Sequence, residues 1–206
     1  MDDSSVKASG PRALARSVAK SSGAVLVLTA LHHAYGSAVY GAAFRRHAVV
    51  VFGALLALLV TLLAIFARRP ATTLGRAAGW LAAGSAALVA VLAVGLFEGL
   101  YNHLLKNALY FGGASAELMR ALFPPPRYEL PNDFAFELSG VLQFVIALPA
   151  ARDIVPLVAW LWSTKPPSAP SPGAPAAGNP RATGLVARPE LVNELAGAPA
   201  LARRAS

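Results

Sequence analysis

The fold class this sequence predicts is all-α: a polytopic integral membrane protein built as a four-transmembrane-helix bundle, with a longer hairpin of helices three and four and a disordered C-terminal tail. Three observations predict it. Hydrophobic residues make up 56% of the chain and charged ones only 14%, a balance outside that of ordinary globular domains. The charges gather in short clusters between apolar runs, and each run is long enough to cross about 30 Å of hydrocarbon. Beyond residue 163 the composition turns to KPPSAPSPGAPAAGNP, a Pro, Ala, Gly and Ser mixture with too little apolar surface to pack.

Residues 1–21 read as a cytoplasmic N-terminal arm. They are too polar and too long for the n-region of a secretory signal, and no A-x-A-type site follows the first apolar run, so that run is expected to stay as a span. A transmembrane domain over residues 22–163 then holds spans at about 23–44, 48–67, 80–105 and 138–162. Helix three is expected to run on through LLKNALYF to Phe111, and Asn132 or Asp133 to cap helix four. Their connector, GGASAELMRALFPPPRYELPND, carries FPPP and Pro131, which predicts an ordered, partly extended segment. Residues 164–206 form the Pro/Ala-rich tail.

Orientation follows from the basic residues. Lys7, Arg12, Arg16 and Lys20, then Arg68, Arg69 and Arg76, then Lys165 fall on one side; Arg45, Arg46, Lys106, Arg120 and Arg127 on the other are diluted by Glu117, Glu129 and Asp133. Trp80, Trp160 and Trp162 lie at the first of these ends, where indole prefers the interface. Both indicators predict a multi-pass protein of the cell membrane with both termini in the cytoplasm. The net charge of +8 is then accounted for by topology and headgroup attraction, without nucleic acid. With no cysteine, disulfides and thiolate chemistry are excluded.

The polar residues inside the runs were placed by depth, at about 1.5 Å of rise per residue. Counted from Ser22 and Trp162, His32 and Arg152 fall at about 15 Å, with His33 and Asp153 beside them. Tyr40, Glu98 and Gln143 fall at about 27 to 29 Å, near the opposite interface. Helix two supplies only Thr61 and reads as lipid-facing filler. Glu98, Tyr101 and Asn102 share one α-helical face at i, i+3 and i+4, whereas His103, five residues on, points away. On this reading Glu98, His33 and Arg152 are the catalytic candidates, and His32, Tyr40, Tyr101, Asn102, Gln143 and Asp153 line the substrate. A rival placement ends helix four at Ala151, leaves Arg152 at the interface and lays IVPLVAWLW on the surface.

No metal or cofactor is expected. Adjacent His32 and His33 point about 100° apart, no H-x-x-x-H or E-x-x-H occurs, and a bis-histidine haem between His32 and His103 fails on depth by roughly 20 Å. Gly79, Ala83, Ala87, Gly95 and Gly99 form a small-residue stripe for helix packing.

No nucleotide fingerprint and no G-x-S-x-G nucleophile is present. The function expected is binding or conversion of a lipophilic small molecule with one polar end, Arg152 holding an anionic or carbonyl group and Glu98 or a histidine moving a proton. Two alternatives stay open: an accessory membrane subunit whose polar network only fixes helix packing, with FPPPRYELPND facing a partner subunit, and a proton- or ion-coupled transporter built as a homo-oligomer. The bilayer is a partner in all three. Polar layers that enclose space favour the first and third; a dry, fully paired network favours the second.

Overall fold

The computed structural model describes residues 10–125 and 128–164. Helix α1 covers Pro11–Tyr40, α2 Phe44–Arg68, α3 Thr73–Phe111, α4 Ala116–Leu122 and α5 Phe134–Ser163, with no strand among the described residues. Four of these, α1, α2, α3 and α5, are long and apolar enough to cross a membrane. The tail, Lys165 and residues 1–9 of the predicted arm lie outside the described residues.

The long helices begin earlier than their apolar runs. Pro11 opens α1 at the first helical position, where its missing N–H is no loss. The turns through residue 21 are amphipathic, with Leu14, Ala15 and Val18 buried and Arg12, Arg16 and Lys20 exposed. A hydropathy window averages those faces together, which is why residue 23 looks like the start. The other end of α1 is set by Gly41, whose φ of 64° is the left-handed cap a glycine adopts freely. The short turn that follows puts Arg45 on the first turn of α2. Thr72 caps α3 by accepting from the Gly75 amide at 3.1 Å, and Asp133 caps α5 by accepting from the Phe136 amide at 2.8 Å. Helix α5 passes through Pro149 and Pro156 unbroken to Ser163, so IVPLVAWLW continues the helix.

The helices alternate in direction around a bundle. Helix α1 packs along α2 on one side and α5 on the other, α3 packs along α5, and the first turns of α3 return to α2. One end is sealed by Leu14, Val18, Leu59, Leu63, Phe66, Leu157 and Leu161, with Trp80 edge-on to Trp162 at 6.2 Å. Above it lies a second apolar layer of Val25, Ala90, Val94, Ala147 and Ala150. Helix α2 fully buries Leu59, Leu63, Phe66 and Arg45, and Phe52, Leu55, Leu56 and Leu62 pack partly buried against the core; only the rest of its apolar residues face outward.

Between Ala86 and Leu105, α3 is wound as a π-helix, with hydrogen bonds from i to i+5. Its buried residues are Ala86, Ala90, Val94, Gly95, Gly99 and His103. At 3.6 residues per turn a row with that spacing rotates away from its partner; the wider turns keep it facing α5. Contact there is close enough to leave no room for a side chain at several glycines. A Cβ on Gly95 would meet Ala147, one on Gly99 would meet the Phe144 backbone, and one on Gly140 would meet the His103 ring.

Gly99→Ala should therefore lower thermal stability by about 1 to 3 kcal/mol, the cost of overpacking. Gly84, in the same helix, has open space where its Cβ would go, and Gly84→Ala should be neutral or slightly stabilising because alanine favours helix. Thermal unfolding of both variants in one detergent checks the contrast.

Candidate functional site

The polar groups collect at the end of the bundle away from the tryptophans. From α1, His32 is almost fully buried; its Nδ1 lies 2.9 Å from Ser139 Oγ of α5, and its ring stacks on Phe136 at 4.2 Å. Its Nε2 is buried without a hydrogen-bond partner and lies 3.5 Å from Glu98 Oε1 of α3. The same oxygen is 3.2 Å from His33 Nε2. Consecutive imidazoles thus converge on one carboxylate, His33 being steadied by Phe52 of α2 at 5.7 Å.

His103 completes the cluster, its ring edge-on to that of His32 at 4.8 Å. It does not point away from Glu98, because the expectation assumed α-helical turns and this segment is wound with i to i+5 bonds. The expected depth gap between His32 and His103 is absent too. Ser22 was the wrong origin for α1: the register runs from Ser17 beside Asp153, through His32 beside Ser139, to Tyr40 beside Asn132. Ligand-capable atoms of His32, Glu98 and His103 all lie within 4.8 Å of one another, so the expectation that no metal site exists does not stand on geometry.

Charged residues surround the cluster in pairs. His103 Nδ1 lies 2.8 Å from Glu137 Oε2, and Lys106 Nζ donates to Glu137 Oε1 at 2.9 Å. Lys106 also donates to the Glu129 carbonyl at 2.9 Å, and Arg45 donates to the Glu129 carboxylate at 2.6 Å. The Arg45 guanidinium lies 4.9 Å from the centre of the Phe136 ring. Arg45 is thus matched to Glu129 and Lys106 to Glu137. Among the described residues of this layer, Glu98 is the carboxylate that meets imidazoles and no permanently charged cation. The connector's return segment is held against this cluster through Glu129 and through Tyr40 donating to Asn132 at 2.7 Å.

A cavity of about 190 Å³ lies against these groups, lined on its polar side by the His32, His33, Glu98, Asn102 and His103 cluster together with the paired Arg45, Glu129 and Lys106, and on its apolar side by Phe44, Phe97, Tyr128 and Phe136. Phe44 and Phe97 are 66% and 55% exposed, so its mouth lies on the apolar flank between α2 and α3.

The predicted site residues therefore divide. His32, His33, Glu98 and Asn102 come together at the cavity. Tyr40 packs edge-on against Phe136 at 5.1 Å and bonds Asn132, away from Glu98. Tyr101 donates to the Leu122 carbonyl at 2.9 Å and so ties the connector to α3. Gln143 is fully buried with neither amide atom paired. Arg152 and Asp153 are at the other end: Asp153 accepts from Ser17 at 2.7 Å, and the Arg152 side chain is 77% exposed. The two-layer placement fails because α1 enters the bundle at Pro11. Arg45, His103, Lys106, Glu129, Glu137 and Ser139 were missed. Their signal was faint, since each lies beyond or at the edge of an apolar window.

No protein-family model, curated protein or solved structure matches this chain. What fold and site together define is a class: an all-helical chain with four helices fit to span a membrane and a histidine and glutamate cluster at one end of the bundle.

Lys106 is 3% exposed, and removing its carboxylate leaves a buried ammonium. Glu137→Gln should cost on the order of 3 kcal/mol, and Glu137→Gln with Lys106→Met should cost less than Glu137→Gln alone. The exposed Arg152→Ala should change stability by under about 1 kcal/mol. Thermal unfolding in one detergent reads all of them.

Proposed function

We propose that this is a multi-pass protein of the cell membrane that binds a lipophilic small molecule by its one polar end and moves a proton on that end. The observation that carries the reading is Glu98: a carboxylate without a fixed counter-cation, shared by two imidazoles, on a cavity whose mouth is apolar. Ionisable groups inside such helices are costly and tend to be functional. A volume of about 190 Å³ equals roughly six water molecules at about 30 Å³ each, enough for a polar head and not for a whole lipid. The tail of the molecule would lie along Phe44 and Phe97, on the outside of the bundle.

In this account a hydroxyl or amide head enters beside Asn102 and donates to its buried Oδ1, which has no partner in the protein and so can neither go unpaired cheaply nor be met by lipid. Glu98 Oε1 accepts the proton, and His33 Nε2, 3.2 Å away, carries it on. Arg152, offered by the sequence as the group that holds the substrate, has no part, being on the far side of the bundle's apolar layers. Those layers also count against a transport path through a single chain. Unpaired buried atoms on His32, His33 and Asn102 count against a purely structural network. The basic-residue and tryptophan asymmetry supports cytoplasmic termini, and in that orientation the cavity would open near the outer leaflet.

The test uses the purified protein in nanodiscs and three molecules with one chain: dodecanol, dodecanamide and dodecane. The alcohol and the amide should raise the unfolding temperature by about 3 to 5 °C at tenfold above their dissociation constants, and dodecane should not. Glu98→Gln and His33→Ala should lose the response. An equal shift from dodecane, or an undiminished response in both variants, would contradict the reading.

A further inference from the structure

We infer that His32, Glu98 and His103 form a binding site for a divalent first-row transition ion, His32 and His103 ligating through Nε2 and Glu98 through its carboxylate. The inference deepens the proposed function, since it concerns the same cavity and rests on it for the substrate alone. Five features lead to it.

The donor set is two imidazoles and one carboxylate with no thiolate, which suits borderline ions of the zinc, iron and manganese row. The atoms are close to ligating distance already. Two ligands each about 2.1 Å from a tetrahedral ion are about 3.4 Å apart; His32 Nε2 and Glu98 Oε1 are separated by 3.5 Å, and the whole set falls within 4.8 Å. Binding would require the His103 and Glu98 side chains to turn toward the ion to close the remaining gap.

The outer partners are those a metal site needs. A ligating histidine usually gives its other ring nitrogen to a carboxylate or similar acceptor, which fixes tautomer and orientation. His103 Nδ1 lies 2.8 Å from Glu137, itself held by Lys106, and His32 Nδ1 lies 2.9 Å from Ser139. With those nitrogens engaged, both Nε2 atoms are left for the ion, and His32 Nε2 is buried and unpartnered. Charge points the same way: Glu129 and Glu137 are matched to Arg45 and Lys106, and Glu98 is not. Finally, the same three residues line the cavity, so the ion keeps open positions toward whatever occupies it. When bound, the ion would act as a Lewis acid on the oxygen of the head. Glu98 is then a ligand, and the proton acceptor is His33.

The experiment uses full-length protein carrying a purification tag without histidines, reconstituted in nanodiscs, stripped with chelator and titrated with Co²⁺. Wild type should take up Co²⁺ stoichiometrically with a visible ligand-field band, and Zn²⁺ should displace it. His32→Ala, His103→Ala and Glu98→Gln should each weaken binding by about 100-fold or more, and Glu137→Gln, which acts by positioning His103, by about 10- to 100-fold. His33→Ala should keep Co²⁺ binding while losing the dodecanol response, which separates failure of the metal site from failure of the proton-transfer reading. Thermal unfolding of every variant, read alongside, shows that a lost band comes from a lost ligand in a folded protein, and His32→Ala and Glu98→Gln stand as tests if His103→Ala does not fold. Absence of a stoichiometric band in wild type, or unchanged affinity in folded His32→Ala and Glu98→Gln, would overturn the site.

Discussion

The seam between α3 and α5 is the constraint on which the rest of the structure depends. Along it Gly95 lies against Ala147, Gly99 against Phe144 and Gly140 against the His103 ring, close approaches that only small residues permit. The π winding of α3 keeps all these positions on one face. A bundle needs nothing more than the glycines; the site needs the winding. With α-helical turns, His103 would leave Glu98, and Glu137 would have no imidazole to hold. The same seam brings Lys106 to Glu137, so a buried ion pair fixes the register that the glycines allow.

Charge decides what that end of the bundle can do. Burying an ion costs several kcal/mol unless it is paired, and here Arg45 and Lys106 each have a carboxylate. Glu98 is surrounded by groups that can carry a proton or leave room for a cation. One asymmetry therefore supports both the proton-handling role and the metal site. The opposite end offers no parallel, since Asp153 is answered by Ser17 and by an exposed Arg152.

Much of the fold was legible in the sequence because it is written in hydropathy: four apolar runs, a second run whose interior carries only Thr61, a helix three reaching Phe111, and a cap at Asp133. What was not legible has physical causes. The first turns of α1 hide a buried face of Leu14, Ala15 and Val18 behind Arg12, Arg16 and Lys20, and that error shifted every depth along α1, setting His32 beside Arg152 and apart from Glu98. His32, His33, Glu98 and Asn102, which share the cavity, stood out in the sequence because polar residues in apolar runs are conspicuous. His103 was set aside by a rule of 3.6 residues per turn that this segment does not obey. Glu137, Arg45 and Lys106 sit at helix ends, where charge is ordinary, and only three-dimensional pairing makes them notable.

The winding of α3 is thus the central claim, and a chain without cysteine lends itself to a direct test. Three single variants, Val94→Cys, Leu96→Cys and His103→Cys, are reacted in nanodiscs with a membrane-permeant maleimide and the labelled fraction of each is measured. Val94 and His103 are buried and Leu96 is exposed, although nine residues would set Val94 and His103 half a turn apart in an ordinary α-helix. If one face of α3 follows α5 throughout, the cysteines at 94 and 103 should both stay unlabelled while the one at 96 reacts. Labelling at 103 as fast as at 96, with 94 protected, would mean that α3 turns as an ordinary α-helix and that His103 does not meet His32 and Glu98.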